Sequence, residues 1–302
     1  MKAPVVIFTY NRPLHLKETL RSLQSSTGIA ETDVYVYCDG PRNEQDREKQ
    51  QQIVQLVEEA KQSNWSKSFQ FVLSENNKGL APSIVSGVTT LVNQYGRVIV
   101  LEDDLVVSQG FILYMNEALQ AYENAGNVYA VSGYMFPIST SLKKSVLLPY
   151  ISSWGWATWK QKWKIFSLDT PPAALVKPSF ALRGRFNLAH YNYHHMFMTE
   201  RNKSWAINWY YQVFKRNGLS VYPSKSLVIN NGFDGTGENC GSNIFLQQTE
   251  RMTDKIEVVF EDSIDIDFYN AFLKHFGTPM QKLRSIIRYV PFKRQIKSLL
   301  RK

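Results

Sequence analysis

Residues 98–108 read VIVLEDDLVVS: four apolar residues, three consecutive acids, then apolar residues again. Neighbouring carboxylates repel one another, and an unpaired charge in a core is costly. The run Val98–Leu101 is therefore expected to be a buried strand that delivers Glu102, Asp103 and Asp104 to its open end.

The same punctuation recurs along the first half of the chain. APVVIFTY (3–10), DVYVYCDG (33–40), FQFVLSE (69–75), RVIVLEDD (97–104) and VYAVSGYMF (128–136) read as strands. Between them lie helical patterns. Residues 14–26 carry Leu14, Leu16, Leu20 and Leu23, and residues 43–63 carry Ile53, Leu56 and Val57. Residues 76–96 read as a loop and then a helix, and residues 110–124 as a further helix. Strands alternating with amphipathic helices predict βαβ units and a mainly parallel sheet with helices on both faces. Ligands bind such sheets at the carboxyl ends of the strands. Asn11-Arg12, Asp39-Gly40, Asn76-Asn77-Lys78-Gly79 and Glu102-Asp103-Asp104 each follow a strand, so four polar clusters fall on one rim.

A chain of 302 residues, 44% hydrophobic, is enough for one large α/β domain. Two cysteines, Cys38 and Cys240, make no disulfide framework and fit a reducing compartment. The opening apolar run breaks at Asn11-Arg12-Pro13 and is too short for a secretory signal or a membrane span. The net charge of +9 is concentrated in the nine basic and no acidic residues from Phe268 to Lys302. There Leu283, Ile286, Ile287 and Val290 alternate with cations, a pattern that suits an anionic lipid surface. A helix packed on the domain with its charges in solvent fits the same pattern. Nucleic-acid binding is not expected, because basic character is absent elsewhere and no RNA motif occurs.

Three carboxylates in one cleft need a counter-cation. A hard divalent ion, Mn²⁺ or Mg²⁺, held by one or two carboxylates and by substrate phosphates would supply it. A solvated acidic turn is the alternative. The chain has neither G-x-x-x-x-G-K-[ST] nor G-x-G-x-x-G after a strand, which disfavours kinases and dinucleotide oxidoreductases.

Taken together, VVIFTYNRPLHLKETLRSL, VYVYCDG, NNKGLAPSIVSGV and VIVLEDDLVVSQGFILYM have the order and spacing of GT-A glycosyltransferases. The chain resembles the branch containing N-acetylglucosaminyltransferase I and its bacterial relatives, over roughly residues 4–245. The resemblance implies a GT-A, Rossmann-like α/β fold with an aromatic-rich C-terminal half and a basic helical tail. It implies one domain over 1–267, with a nucleotide-sugar half (1–133) and an acceptor and lid half (134–267), followed by the tail (268–302).

It also implies roles. Asp104 would ligate Mn²⁺ or Mg²⁺ on the donor diphosphate, with Glu102 and Asp103 facing the donor ribose and sugar. Thr9, Asn11, Arg12, Asp39, Lys78 and Gly79 would line the nucleotide pocket, Asp39 accepting from a uracil N–H and Arg12 forking onto phosphate. Trp154, Gly155 and Trp156 would flank the sugar, and Asn231 and Gly232 would open a glycine-rich lid. Relatives place a histidine where this chain has Asn239, so no histidine ligand follows. The catalytic base is the least determined role. Where N-acetylglucosaminyltransferase I has Trp-Asp-Asp-Trp, this chain has AIN between Trp205 and Trp209, which leaves Asp234, favoured, and Glu200.

The expected activity is metal-dependent transfer of a sugar, with inversion, from a UDP-sugar such as UDP-GlcNAc. The expected acceptor is a hydroxyl of a bacterial surface glycan or lipid-linked glycan at the cytoplasmic face of the plasma membrane. A catalytically inactive sugar-binding protein of the same fold and a nucleotidyltransferase are the rival readings.

Overall fold

The computed structural model describes residues 2–168, 180–188, 191–200, 203–235 and 252–276. The first half alternates as the sequence predicts: β1 (Val5–Thr9), α1 (Pro13–Gln24), β2 (Asp33–Cys38), α2 (Glu44–Gln62), β3 (Ser68–Leu73), α3 (Leu80–Tyr95) and β4 (Arg97–Glu102). There follow β5 (Leu105–Val107), α4 (Phe111–Ala121), β6 (Val128–Ser132), β7 (Ser145–Leu148), β8 (Trp156–Trp159) and α5 (Lys160–Trp163). The remaining elements are α6 (Phe180–Phe186), α7 (Tyr193–Glu200), α8 (Trp205–Phe214), β9 (Leu219–Pro223), β10 (Val228–Asn230) and α9 (Ile266–Phe276).

Eight strands form one sheet in the order β3-β2-β1-β4-β8-β6-β9-β7, and β5 and β10 form a separate antiparallel ribbon. Strands β3, β2, β1 and β4 pair in parallel, so their carboxyl ends share one edge. Pleating sends alternate side chains to opposite faces. Val5 and Ile7 of β1 pack with Leu16, Leu20 and Leu23 of α1 and Ile53 and Val57 of α2. Val6 and Phe8 pack on the other face with Ile84, Val88 and Leu91 of α3. Both faces of β1, β2 and β4 are thus covered, which is why these strands read as continuous apolar runs rather than as alternating patterns. This is an α/β fold of the GT-A, Rossmann-like kind, with a mostly parallel central sheet flanked by helices.

Two features differ from the sequence reading. First, β8 inserts antiparallel between β4 and β6, with Ala157 opposite Ile99 and Trp156 opposite Val100. Within residues 152–159, expected to border a sugar, Trp156–Trp159 thus supply a central strand. Second, α9 runs across the expected boundary at 267/268. Phe268, Phe272 and Phe276 are buried against Phe186, Phe197 and Tyr210, so this helix belongs to the domain. The rest of the expected basic tail, from 277, lies outside the described residues. Among the described residues no helix is long and apolar enough to cross a membrane.

Candidate active site at the strand-end rim

The acidic triplet sits where β4 ends, beside the ends of β1 and β2. The carboxylates of Asp103 and Asp104 meet at one nitrogen of Arg12. Asp103 turns toward β1, where Thr9 Oγ1 donates to its Oδ2 at 2.9 Å. Its backbone is held as well: Thr19 Oγ1 on α1 donates to the Asp103 carbonyl at 2.7 Å, and the Asp103 N–H donates to the Phe8 carbonyl at 3.0 Å. Asp104 turns toward the ribbon, where the Asn231 N–H donates to its carbonyl at 2.8 Å.

Arg12 joins the two. Its guanidinium pairs with Asp103 Oδ1 and, at 3.0 Å, with Asp104 Oδ2, all three side chains being largely buried. Burial alone would lower the Arg12 pKa; the charges of Asp103 and Asp104 and the bonds to them outweigh it, and the net shift is upward. Arg12 thus supplies one counter-charge from within the chain. Around it, burial raises the pKa of Asp103 against the pull of Arg12. Glu102 is pushed up to about 8, first by burial and then by Asp104 and Asp103, with Arg12 opposing.

The geometry of Asp104 depends on a glycine. A Cβ built on Gly232 would lie 2.9 Å from Asp104 Cγ and closer still to its Oδ2, so no larger residue fits there without moving the carboxylate. The Gly232 N–H donates to Asn230 Oδ1 at 2.7 Å, which fixes the turn as β10 ends.

The neighbouring rim segments are tied to Asp39. Its carboxylate accepts from the N–H groups of Gly40 at 3.0 Å, Lys78 at 2.9 and 3.1 Å, and Gly79 at 2.7 Å. These bonds occupy most of what one carboxylate can accept. Asp39 therefore anchors the 76–79 loop, and the Lys78 side chain projects into solvent while its backbone does the binding. Gly79 has φ of +82°, a conformation that favours glycine at this entry to α3. Gly40 packs against the backbone of the same loop, where a Cβ would sit 2.6 Å from the Asn76 carbonyl oxygen.

Asn11 points away from the triplet. Its side-chain amide donates to Asp46 Oδ1 at 2.6 Å, and Tyr10 donates to Asp46 Oδ2. Burial would raise the Asp46 pKa, but the bonds from Tyr10, Asn11 and the Arg42 N–H outweigh it and hold the carboxyl low. Tyr10 in turn is pushed up to about 12 by burial and by Asp46.

The aromatic segment divides. Trp154 is half-buried and lies edge-on to Tyr134 at 4.5 Å and to Phe233 at 5.4 Å between ring centroids, so it stays at the rim. Trp156 does not: it is 1% exposed and stacks on Trp205 at 5.1 Å beside Trp163 and Trp209. The expectation that Trp156 faces a sugar is corrected, because the strand register of β8 turns it into the core. Gly155, with φ of +63°, serves protein packing. Its carbonyl accepts from the Gly133 N–H at 2.6 Å, and a Cβ there would meet Val228 of β10 at 2.9 Å.

Of the two base candidates, Asp234 lies in the short 3₁₀ turn Gly232–Asp234, directly after the ribbon, and its Oδ2 is 3.2 Å from His15 Nε2. Glu200 is an exposed residue at the end of α7, with no hydrogen bond or ion pair to the triplet among the described residues. The rest of the expected lid, residues 236–241 with Asn239, lies outside the described residues.

The sequence reading missed His15, Thr19 and Asp46. A signal existed for the first two. Arg12, His15 and Thr19 are spaced three and then four apart, which places them along one ridge of α1. Asp46 sits in the first turn of α2, where an acid reads as an ordinary partner of the helix dipole.

Among the described residues, no three Asp, Glu, His or Cys side chains converge to hold a metal ion. A single-carboxylate site does fit. Asp104 Oδ2 is paired with Arg12, while Oδ1 has no protein hydrogen bond among the described residues. A carboxylate so placed matches divalent ions that take one or two protein ligands and complete their shell from water and phosphate.

With an α/β scaffold and an Arg-clamped acidic triplet at the strand-end rim, the chain has the architecture of a GT-A glycosyltransferase. It belongs to glycosyl transferase family 2, whose pattern residues 5–207 match. No curated protein matches the chain. Among solved structures, S. aureus TarS residues 1–349 is similar at 12% identity, over 98% of this chain and 77% of that one, with a TM-score of 0.46. Another TarS structure is similar at 14% identity, over 78% of this chain and 37% of that one, with a TM-score of 0.40. GalNAc-T7 with UDP, GalNAc and Mn²⁺ is similar at 11% identity, over 74% and 42%, with a TM-score of 0.42.

Proposed function

We propose that this protein transfers a sugar from a nucleotide-sugar donor, a UDP-sugar such as UDP-GlcNAc, to a hydroxyl of a bacterial surface glycan or its lipid-linked precursor, with inversion. The observation that carries the reading is the clamp at the end of β4. Asp104 is held by Arg12 on one side and by Gly232 and Asn231 on the other, beside the loop anchored on Asp39. Kinship with N-acetylglucosaminyltransferase I, suggested by the Glu-Asp-Asp motif, is part of the same proposal.

Asp104 would hold Mn²⁺ or Mg²⁺ through Oδ1, and such an ion neutralises charge on a departing diphosphate. Arg12 is the chain's own cation at this point. With a donor present it is placed to turn one N–H toward a phosphate oxygen while keeping Asp103. Glu102 and Asp103 would border the ribose and sugar. Trp154 would offer a ring to the C–H face of the sugar, and Asp234 would take the proton of the attacking hydroxyl. The basic stretch beyond Phe276 would hold the protein on the anionic inner face of the plasma membrane.

A thermal-shift screen of nucleotide sugars with and without Mn²⁺ tests the donor. Stabilisation by a UDP-sugar that depends on Mn²⁺ supports the reading, and equal or no response to every nucleotide sugar contradicts it. Sedimentation with phosphatidylserine vesicles of the chain truncated after Phe276 tests the membrane role.

A further inference from the structure

Helix α1 presents a ridge to the rim. Arg12 stands just before its first residue and His15 and Thr19 follow on the same side. Arg12 and Thr19 bind the triplet, whereas His15 reaches across to Asp234. The turn that carries Asp234 is fixed at three successive residues. Gly232 rests on Asp104, Phe233 lies edge-on to Trp154, and Asp234 meets His15.

Beside this turn opens a cleft of about 180 Å³ lined by Leu14, His15 and Glu18 of α1, Val106 of β5, Asp104 and Asn231. It is smaller than the 300–1,000 Å³ of sites for drug-sized ligands, and suits one sugar ring better than a nucleotide. Away from Asp104 the lining offers an imidazole, the carboxylate of Glu18 and an amide, which are good partners for hydroxyls. Leu14, 76% exposed, adds an apolar edge for a ring C–H face.

We propose that this cleft receives the acceptor sugar and that His15 is a positioning residue that holds Asp234 over it. The proposal rests on the glycosyltransferase reading above. The Asp234 side chain is 39% exposed, so it can reach a ligand at the rim. In the transfer, the acceptor oxygen bonds to the anomeric carbon while the bond from that carbon to the diphosphate oxygen breaks. The electron pair leaves with the diphosphate, and the hydroxyl proton passes to Asp234. The 3.2 Å contact of His15 Nε2 with Oδ2 would set the orientation in which the carboxylate meets that hydroxyl.

The test uses the full chain, Mn²⁺, UDP-GlcNAc, UDP-Gal and UDP-Glc as donors, and a panel of methyl glycosides as acceptors. Asp234→Asn should cost ~10²–10⁴-fold in kcat, the usual range for a lost general base. His15→Ala should cost about 10- to 100-fold in kcat, as misplacing a reacting group does, with the donor KM within about twofold. His15→Gln, which keeps an N–H donor, should recover most of that loss, and His15→Ala should add nothing to Asp234→Asn. Glu18→Ala should raise the KM of the glycoside alone. A second readout needs no turnover. With UDP and Mn²⁺ present, saturation-transfer NMR should detect a methyl glycoside on the wild type and lose it on Leu14→Asp, and the His15 imidazole resonances should move in Asp234→Asn.

An unchanged kcat in His15→Ala, losses that multiply in the double variant, or no glycoside contact on the wild type would overturn the proposal. Full turnover by Asp234→Asn would remove the base assignment. Turnover of no nucleotide sugar by the wild type would overturn the underlying reading, and the resonance measurements would still decide the cleft.

Discussion

Replacing Gly232 with alanine probes the clamp on Asp104 without touching any charged group. The added Cβ would lie 2.9 Å from Asp104 Cγ and nearer to Oδ2, whereas ordinary contact begins at about 3.4 Å. The carboxylate must therefore retreat by ~0.5 Å at Cγ and by about 1.3 Å at Oδ2, in a core that packs like a crystal. Retreat on that side is opposed by Arg12, and the Asn231 N–H bond to the Asp104 carbonyl resists sliding the turn instead. Overpacking of this kind costs about 1–3 kcal/mol of stability. A displacement near 1 Å at a reacting centre costs about 10²-fold in rate. The assay pairs urea unfolding with steady-state turnover of a UDP-sugar in Mn²⁺. Gly126→Ala is the control, because nothing lies within 4 Å of a Cβ at that position. Wild-type stability and kcat in Gly232→Ala would refute the argument that Asp104 is placed by contact with this glycine.

Three further outcomes follow from the geometry. Arg12→Met leaves Asp103 and Asp104 buried beside one another without a cation, and should lower stability by about 3–5 kcal/mol in denaturant titrations; an unchanged midpoint would mean that the pair is not formed in solution. Asp46→Asn should cost ~1.5–3 kcal/mol at pH 7, where the wild-type carboxylate accepts from Tyr10 and Asn11. Because the folded pKa of Asp46 is depressed, its contribution is complete above the unfolded value of about 4 and is lost as pH falls through the folded one; a gap between the two proteins that stays constant from pH 7 to pH 3 would contradict this. Trp156→Phe should destabilise by about 1–3 kcal/mol and leave the donor KM alone, since Trp156 is core; a raised KM at unchanged stability would return it to the sugar site.

The parallel half of the fold was legible because its strands are buried on both faces and its helices are amphipathic, so the pattern in the chain and the packing agree. Val5–Thr9, Asp33–Cys38 and Arg97–Glu102 fall within the segments read as strands. The rim followed from the same logic, since strand ends carry the polar clusters. What sequence could not carry was pairing at a distance. Trp156–Trp159 is a short stretch whose strand character comes from β4 and β6 on either side, so its tryptophans read as a binding motif. The bonds that Asp39 accepts from the N–H groups of Lys78 and Gly79, about forty residues away, left no mark in the local pattern. The partners of single side chains, such as Asp234 with His15, depend on how α1 meets the turn after β10, and local patterning holds no information about that.

The central claim is that Asp104 couples a divalent ion to a nucleotide diphosphate at this rim. Calorimetric titration of UDP into the wild type and Asp104→Asn, each with and without Mn²⁺, addresses it most directly. The account predicts that Mn²⁺ tightens UDP binding to the wild type and has no effect on Asp104→Asn. Equal UDP affinity with and without Mn²⁺ in the wild type, or the same metal-dependent gain in Asp104→Asn, would contradict it.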